Sequence, residues 1–178
     1  MNDYKVIQKV IHWLMAIMIC LDLFIAQKFG GWMQGWDRLE SRVDHSSMGA
    51  IITVLFILRI AFRVRYGAAS LPQGMSNWQV RSAKAAHFAF YFFIGLMICS
   101  GIATAVNAAS PIPLFGQFDI TIGRSDEGFL QLIRPIHEFA TNAVIVLIVL
   151  HIVAAIYHHF IAKDDSTVRM LKFWNSRA

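Results

Sequence analysis

Charge is scarce in this sequence. Asp, Glu, Lys and Arg supply 15% of its 178 residues and hydrophobic types supply 57%, where a soluble domain carries about 25% and about 45–50%. That balance excludes intrinsic disorder and argues against a water-soluble globule. Cysteine is nearly absent: Cys20 and Cys99 lie far apart inside apolar stretches. Without a C-x-x-C pair, structural zinc, a thioredoxin-type motif and covalent attachment of a c-type haem all lack their signature. Both thiols read as small buried hydrophobes. Internal repeats and low-complexity tracts are missing as well.

What the chain has is long apolar runs, with a mean hydropathy of +0.53. A bilayer-crossing helix needs about 20 largely apolar residues. Four stretches qualify: roughly Val6–Gln27, His45–Val64, His87–Val106 and Pro135–Ala162. The expected fold is therefore all-α, an integral four-transmembrane-helix bundle occupying residues 1–178 as one domain. The first stretch follows Lys5 and Lys9 as a signal peptide would, yet it carries Asp22 and lacks an A-x-A-like cleavage site. It reads as a retained helix. The third loop, with Pro111, Pro113, Gly116, Phe115, Phe118 and Phe129, is expected to fold over the outer mouth of the bundle.

The net charge of +5 and pI of about 9.5 find their reason in where the cations lie. Lys5, Lys9, Arg59, Arg63, Arg65, Arg81, Lys84, Lys163, Arg169, Lys172 and Arg177 fall on one side of the four segments. Lys28, Arg38, Arg42, Arg124 and Arg134 fall on the other. The positive-inside bias then puts both termini in the cytoplasm. Trp32, Trp36, Trp78 and Trp174 stand near segment ends, as interfacial aromatics do. No nucleic-acid partner is needed to account for the basic balance.

All seven histidines, His12, His45, His87, His137, His151, His158 and His159, lie in or at the ends of the apolar segments. Ionisable groups inside a membrane are costly and mark functional sites by default. His137 and His151 are fourteen positions apart, which leaves them about 40° from alignment and about 21 Å apart along a helix. They share a face at two depths. Chain direction lets His45 meet His137 near the outer side and His12 meet His151 near the inner side. Zinc would want four protein ligands. Facing neutral imidazoles in an apolar bundle suit haem, whose porphyrin supplies the equatorial ligands, and the missing C-x-x-C-H makes it non-covalent, b-type. Gly49, Gly95 and Gly101 leave room for a flat macrocycle or for close helix packing, equally well.

Arg59, fourteen positions after His45, is a candidate partner for the propionates of an inner haem, or a snorkelling anchor. His158 lies about 31 Å along the axis from His137, too near the headgroups for a buried porphyrin. With His87 it is a candidate contact for a quinone headgroup, Arg81 or Lys84 assisting, in preference to a rival His87–His158 haem pair. His159 points elsewhere. Asp22 and Glu138 are acids toward the outer side, suited to orienting an imidazole or carrying protons.

The residues "IHW" at 11–13, His45 before "SSMG", "LRIAFR" at 58–63, "HE" at 137–138, "HIVAAIYHH" at 151–159 and "KDDSTVRML" at 163–171 resemble the bacterial cytochrome b561 family, relatives of the b-type subunits of nickel hydrogenases and formate dehydrogenases. The resemblance spans essentially the whole chain. It implies a four-helix bundle with two b haems, His12 and His151 holding the inner one and His45 and His137 the outer one. Stand-alone members resemble superoxide:ubiquinone oxidoreductases, and the short loops here match that type, for which no protein partner is required. Cations at the outer mouth (Arg38, Arg42, Arg124, Arg134) would steer the superoxide anion, against Asp37, Glu40, Asp44, Asp119, Asp126 and Glu127 in the same loops. Two other readings stand beside this one: an anchor subunit passing electrons between a dehydrogenase or hydrogenase and quinone, and a haem sensor or carrier without turnover.

Overall fold

The computed structural model describes residues 3–27, 36–72, 74–122 and 127–173, with the side chains of 27 and 36–38 left aside. Four long helices cover most of it: α1 (Val6–Gln27), α2 (Trp36–Tyr66), α3 (Asn77–Val106) and α4 (Glu127–Tyr157). A π turn, His158–Ala162, extends α4, and a short α5 (Ser166–Leu171) follows. Each long helix is long and apolar enough to cross a membrane.

The helices run past the apolar segments. α2 begins before His45, α3 before His87 and α4 before Pro135, because hydropathy marks where lipid ends whereas helical hydrogen bonding continues into charged residues. At the start of α3, Gln79 Oε1 accepts the Ser76 N–H at 2.8 Å, half of a capping box. Pro135 sits inside α4 rather than opening it.

Each helix turns one stripe inward, set by i, i+3 or i, i+4 spacing: Ile11, Met15 and Ile19; Ile52 and Phe56; Ile94 and Met97; Ala140 and Val144. Outward it presents large apolar side chains such as Phe24, Val54, Phe92 and Phe139, as a lipid-facing surface requires. Both cysteines lie on this outward surface, not in the core as their apolar surroundings suggest, since in lipid either face accepts a small apolar thiol. α1 packs on α2 and α3 on α4, and the two pairs meet sparingly.

The loop after α3 folds into a small hairpin, β1 (Pro113–Leu114) with β2 (Phe118–Asp119). It docks on α2 through the Phe115 N–H, which donates to Ser47 Oγ at 2.8 Å. That bond holds Phe115 at φ 53, a conformation few aromatic residues adopt. Hydrogen bonds from the Thr121 and Ile112 amides to Asp119 brace the loop and keep the Asp119 carboxyl below the usual carboxylate range. At the opposite end of the bundle the chain termini are fastened. Lys9, 2% exposed, bonds Asp3 Oδ2 at 3.0 Å and the Lys172 carbonyl at 2.8 Å. The Trp13 indole donates to the Met170 carbonyl at 3.1 Å.

Candidate functional site

Two pairs of imidazoles bridge the helix pairs at two depths. His45 and His137 lie at nearly equal distances from the starts of α2 and α4, which begin at the hairpin end. Their ring centres are 6.2 Å apart and their planes 78° from parallel. His12 and His151 lie equally far from the start of α1 and the end of α4. Their rings are 6.3 Å apart at 72°. Phe90 from α3 packs its edge against His151, 5.5 Å between centres.

Hydrogen bonds fix the tautomers of the first pair. His45 Nδ1 meets Asp22 Oδ1 at 2.8 Å, and Asp22 is buried. His137 Nδ1 meets the Met97 carbonyl at 3.0 Å and Ser100 Oγ at 3.1 Å. The Met97 carbonyl oxygen only accepts, so His137 Nδ1 carries a proton, and the Asp22 carboxylate as acceptor asks the same of His45 Nδ1; in such a tautomer of the neutral ring Nε2 holds the lone pair. α3 admits the His137 ring because position 101 is glycine: a Cβ there would stand 3.0 Å from His137 Cε1.

A family profile described as prokaryotic cytochrome b561 matches residues 3–173. The chain belongs to the prokaryotic cytochrome b561 family. It is similar to cytochrome b561 homolog 2 of Escherichia coli (strain K12), with 30% identity covering 94% of this chain and 90% of that one. Cytochrome b561 homolog 1 of the same organism is 26% identical over 96% and 98% of the two chains. A probable superoxide oxidase CybB of Yersinia pestis is 27% identical over 96% of each. This cytochrome is thus a multi-pass bacterial membrane protein of electron transfer.

Membership of a cytochrome b family implies b-type haem, and the donor set fits it. Imidazole nitrogen binds a transition metal at about 2 Å, so two rings on opposite sides of one ion have centres about 6 Å apart. Both pairs have that spacing. Among the described residues no three His, Cys, Asp or Glu side chains converge to hold a bare ion. Each pair therefore suits a metal that brings its own equatorial ligands, as a porphyrin does. The Nδ1 bonds to Asp22 and Met97 are of the kind that orients a histidine when it binds a metal.

The remaining sequence candidates fall into two groups. Arg59 lies within electrostatic reach of both His12 and His151 in the cytochrome. His87 joins the same cluster, interacting with His151, Arg63 and Arg59. It sits deeper than its place at the head of an apolar segment suggests, because α3 starts ten residues earlier, at Asn77. His158 turns instead to Asp164, to which its Nδ1 bonds. His87 and His158 share no hydrogen bond or ring contact among the described residues. A Cβ at Gly95 would meet the Phe56 ring at 3.7 Å, so that position serves helix packing, whereas a Cβ at Gly49 would meet open space. Of the cations at the hairpin end, Arg124 and the Arg38 side chain lie outside the described residues, as do Trp32, Trp174 and the Trp36 side chain.

Ser100, the Met97 carbonyl and Asp164 have no counterpart among the sequence candidates. A lone hydroxyl in an apolar span was the available signal for Ser100. Asp164 carries a pH dependence. Burial raises its carboxyl, but bonds from Ser166, whose N–H donates to Oδ1 at 2.9 Å, and from His158 outweigh that and hold it below the ordinary range. A lowered carboxyl stabilises the fold above the ordinary value of about 4 and stops doing so as pH falls through the folded value. Amide protection across residues 166–171, taken relative to the intrinsic exchange rate at each pH, should therefore be high at neutral pH and fall in acid below about pH 4. Asp164→Ala should show low protection at both. Equal protection of the native chain at pH 7 and pH 3 would refute this role.

Proposed function

We propose that this cytochrome oxidises superoxide at the hairpin end and reduces ubiquinone within the membrane, using two non-covalent b haems. His45 with His137 would hold one, and His12 with His151 the other. When bound, the haems supply one-electron redox centres at two depths. The observation that carries this reading is the pair of facing imidazole sets about 21 Å apart along α4. Two superoxide anions yield two dioxygen molecules and two electrons; one ubiquinone takes those electrons and two protons to become ubiquinol. The likeness to a probable superoxide oxidase supports the choice of donor.

In this reading both termini are cytoplasmic, because the end that carries them also carries Arg63, Arg65, Arg81, Lys84, Arg169 and Lys172. The hairpin end is then periplasmic, and Arg42 and Arg134 add positive potential there for a small anion. His87 and His158 would offer hydrogen bonds to the quinone carbonyls, and Arg59 would pair with haem propionates. The chain's own groups position Nε2 of His45 and His137, exclude water through the apolar spans and offer donors to the quinone.

The decisive experiment supplies enzymatically generated superoxide and short-tailed ubiquinone to the detergent-purified chain. Consumption of two superoxide per ubiquinol formed, above the spontaneous rate, is the expected result. Superoxide loss that ignores quinone would sink the reading. Haem reduction only after addition of a dehydrogenase would favour the anchor-subunit alternative.

A further inference from the structure

The two imidazole levels sit in opposite electrostatic surroundings. At the His45–His137 level the charges that act on the rings are negative, and Arg42 and Arg134 stand three residues further toward the hairpin end. Asp22, 7% exposed, accepts a hydrogen bond from His45 Nδ1 at 2.8 Å, and both Asp22 and Glu138 are within electrostatic reach of His137. At the His12–His151 level the nearby charge is positive. Arg59 is within electrostatic reach of both rings. Helix spacing places it there independently: His45 to Arg59 on α2 and His137 to His151 on α4 span equal numbers of residues, so with the first two rings adjacent, Arg59 stands at the depth of His151.

We infer that Asp22 and Arg59 poise the two sites at different reduction potentials, the His45–His137 site being the harder to reduce. The inference rests on the haem assignment above. Reduction adds one electron and so one negative charge. A neighbouring carboxylate opposes that charge, and a neighbouring guanidinium favours it, more strongly in a low-dielectric interior than in water. A carboxylate on Nδ1 also makes the imidazole a stronger donor through Nε2, which favours the oxidised metal. Both effects act in the same direction at the Asp22 level. Asp22 and Arg59 are positioning residues here; neither needs to touch the metal.

Optically monitored potentiometric titration of the purified holoprotein tests this. Two one-electron waves are expected. Asp22→Asn should raise the lower wave by about tenfold in the reduction constant, about 59 mV, and leave the upper wave in place. Arg59→Gln should lower the upper wave alone, and Arg59→Lys should restore it. Glu138→Gln should move the lower wave upward by a smaller shift, which keeps the test open if Asp22→Asn fails to fold. Haem content measured on the same samples separates the two levels of interpretation. Fewer than two haems in the native chain would overturn the cofactor assignment. Two haems with coincident waves, or a shift of the upper wave in Asp22→Asn, would overturn this inference alone.

Discussion

His137→Ala should leave the purified chain with one haem, against the two proposed for the native chain. The pair it belongs to cannot be completed by another residue: His45 is the ring opposite, 6.2 Å away, and no third donor converges among the described residues. The His12–His151 pair lies about 21 Å further along α4, on a helix that stays intact, so its haem should remain with its spectrum unchanged. His45→Ala should behave identically, and His12→Ala or His151→Ala should remove the complementary half of the spectrum. Haem quantified per polypeptide, with the reduced optical spectrum, reads all four. Loss of both haems from any single variant, or of neither, would break the assignment of ligands to levels. His158→Ala, outside both pairs, should retain both haems and slow quinone reduction.

Gly101→Leu should have nearly the same effect from a residue that ligates nothing. Even the first carbon of a side chain at position 101 would press on His137 Cε1 at 3.0 Å. Because the ring is already held by the Met97 carbonyl and Ser100 Oγ, it can escape only by giving up those bonds. Disturbing such outer-shell contacts costs about 10–100-fold in metal affinity. Gly101→Ala should fall in that range and Gly101→Leu beyond it, while the haem at the His12–His151 level stays bound. Ser100→Ala, which removes a hydroxyl and keeps the Met97 carbonyl, should cost least of the three. Haem retention during dilution in detergent measures the series. A Gly101→Leu protein with full haem at both levels would refute this steric role of Gly101.

Much of this arrangement is readable from spacing. Four apolar runs, and histidines fourteen positions apart on the last of them, are enough to bring His45 to His137 and His12 to His151, since helix rise and rotation are nearly invariant. Helix ends are another matter. The 36–44 and 77–86 stretches are polar, and a hydropathy pattern cannot tell a helix that continues into water from a loop. That one ambiguity places His87 too near the surface and separates it from the cluster it joins. The partners of His137 were hidden for a different reason: a backbone carbonyl has no letter in the sequence, and Ser100 gains meaning only once α3 lies against α4. Asp22 was visible as an acid in an apolar run, but its register against His45 depends on how α1 and α2 pair. The hairpin escapes a reading based on period, because each strand is two residues long.

The fastening of the termini has a consequence for how the protein is made. The ammonium of Lys9 finds its carbonyl partner 163 positions later, at Lys172, and the Trp13 indole finds its own at Met170. A ribosome must deliver residues 170–172 before the first span can take up its resting contacts. Until then that span inserts without these two partners. Closure of this end follows insertion of all four long helices, and a nascent chain halted before α5 would be membrane-inserted yet unfinished.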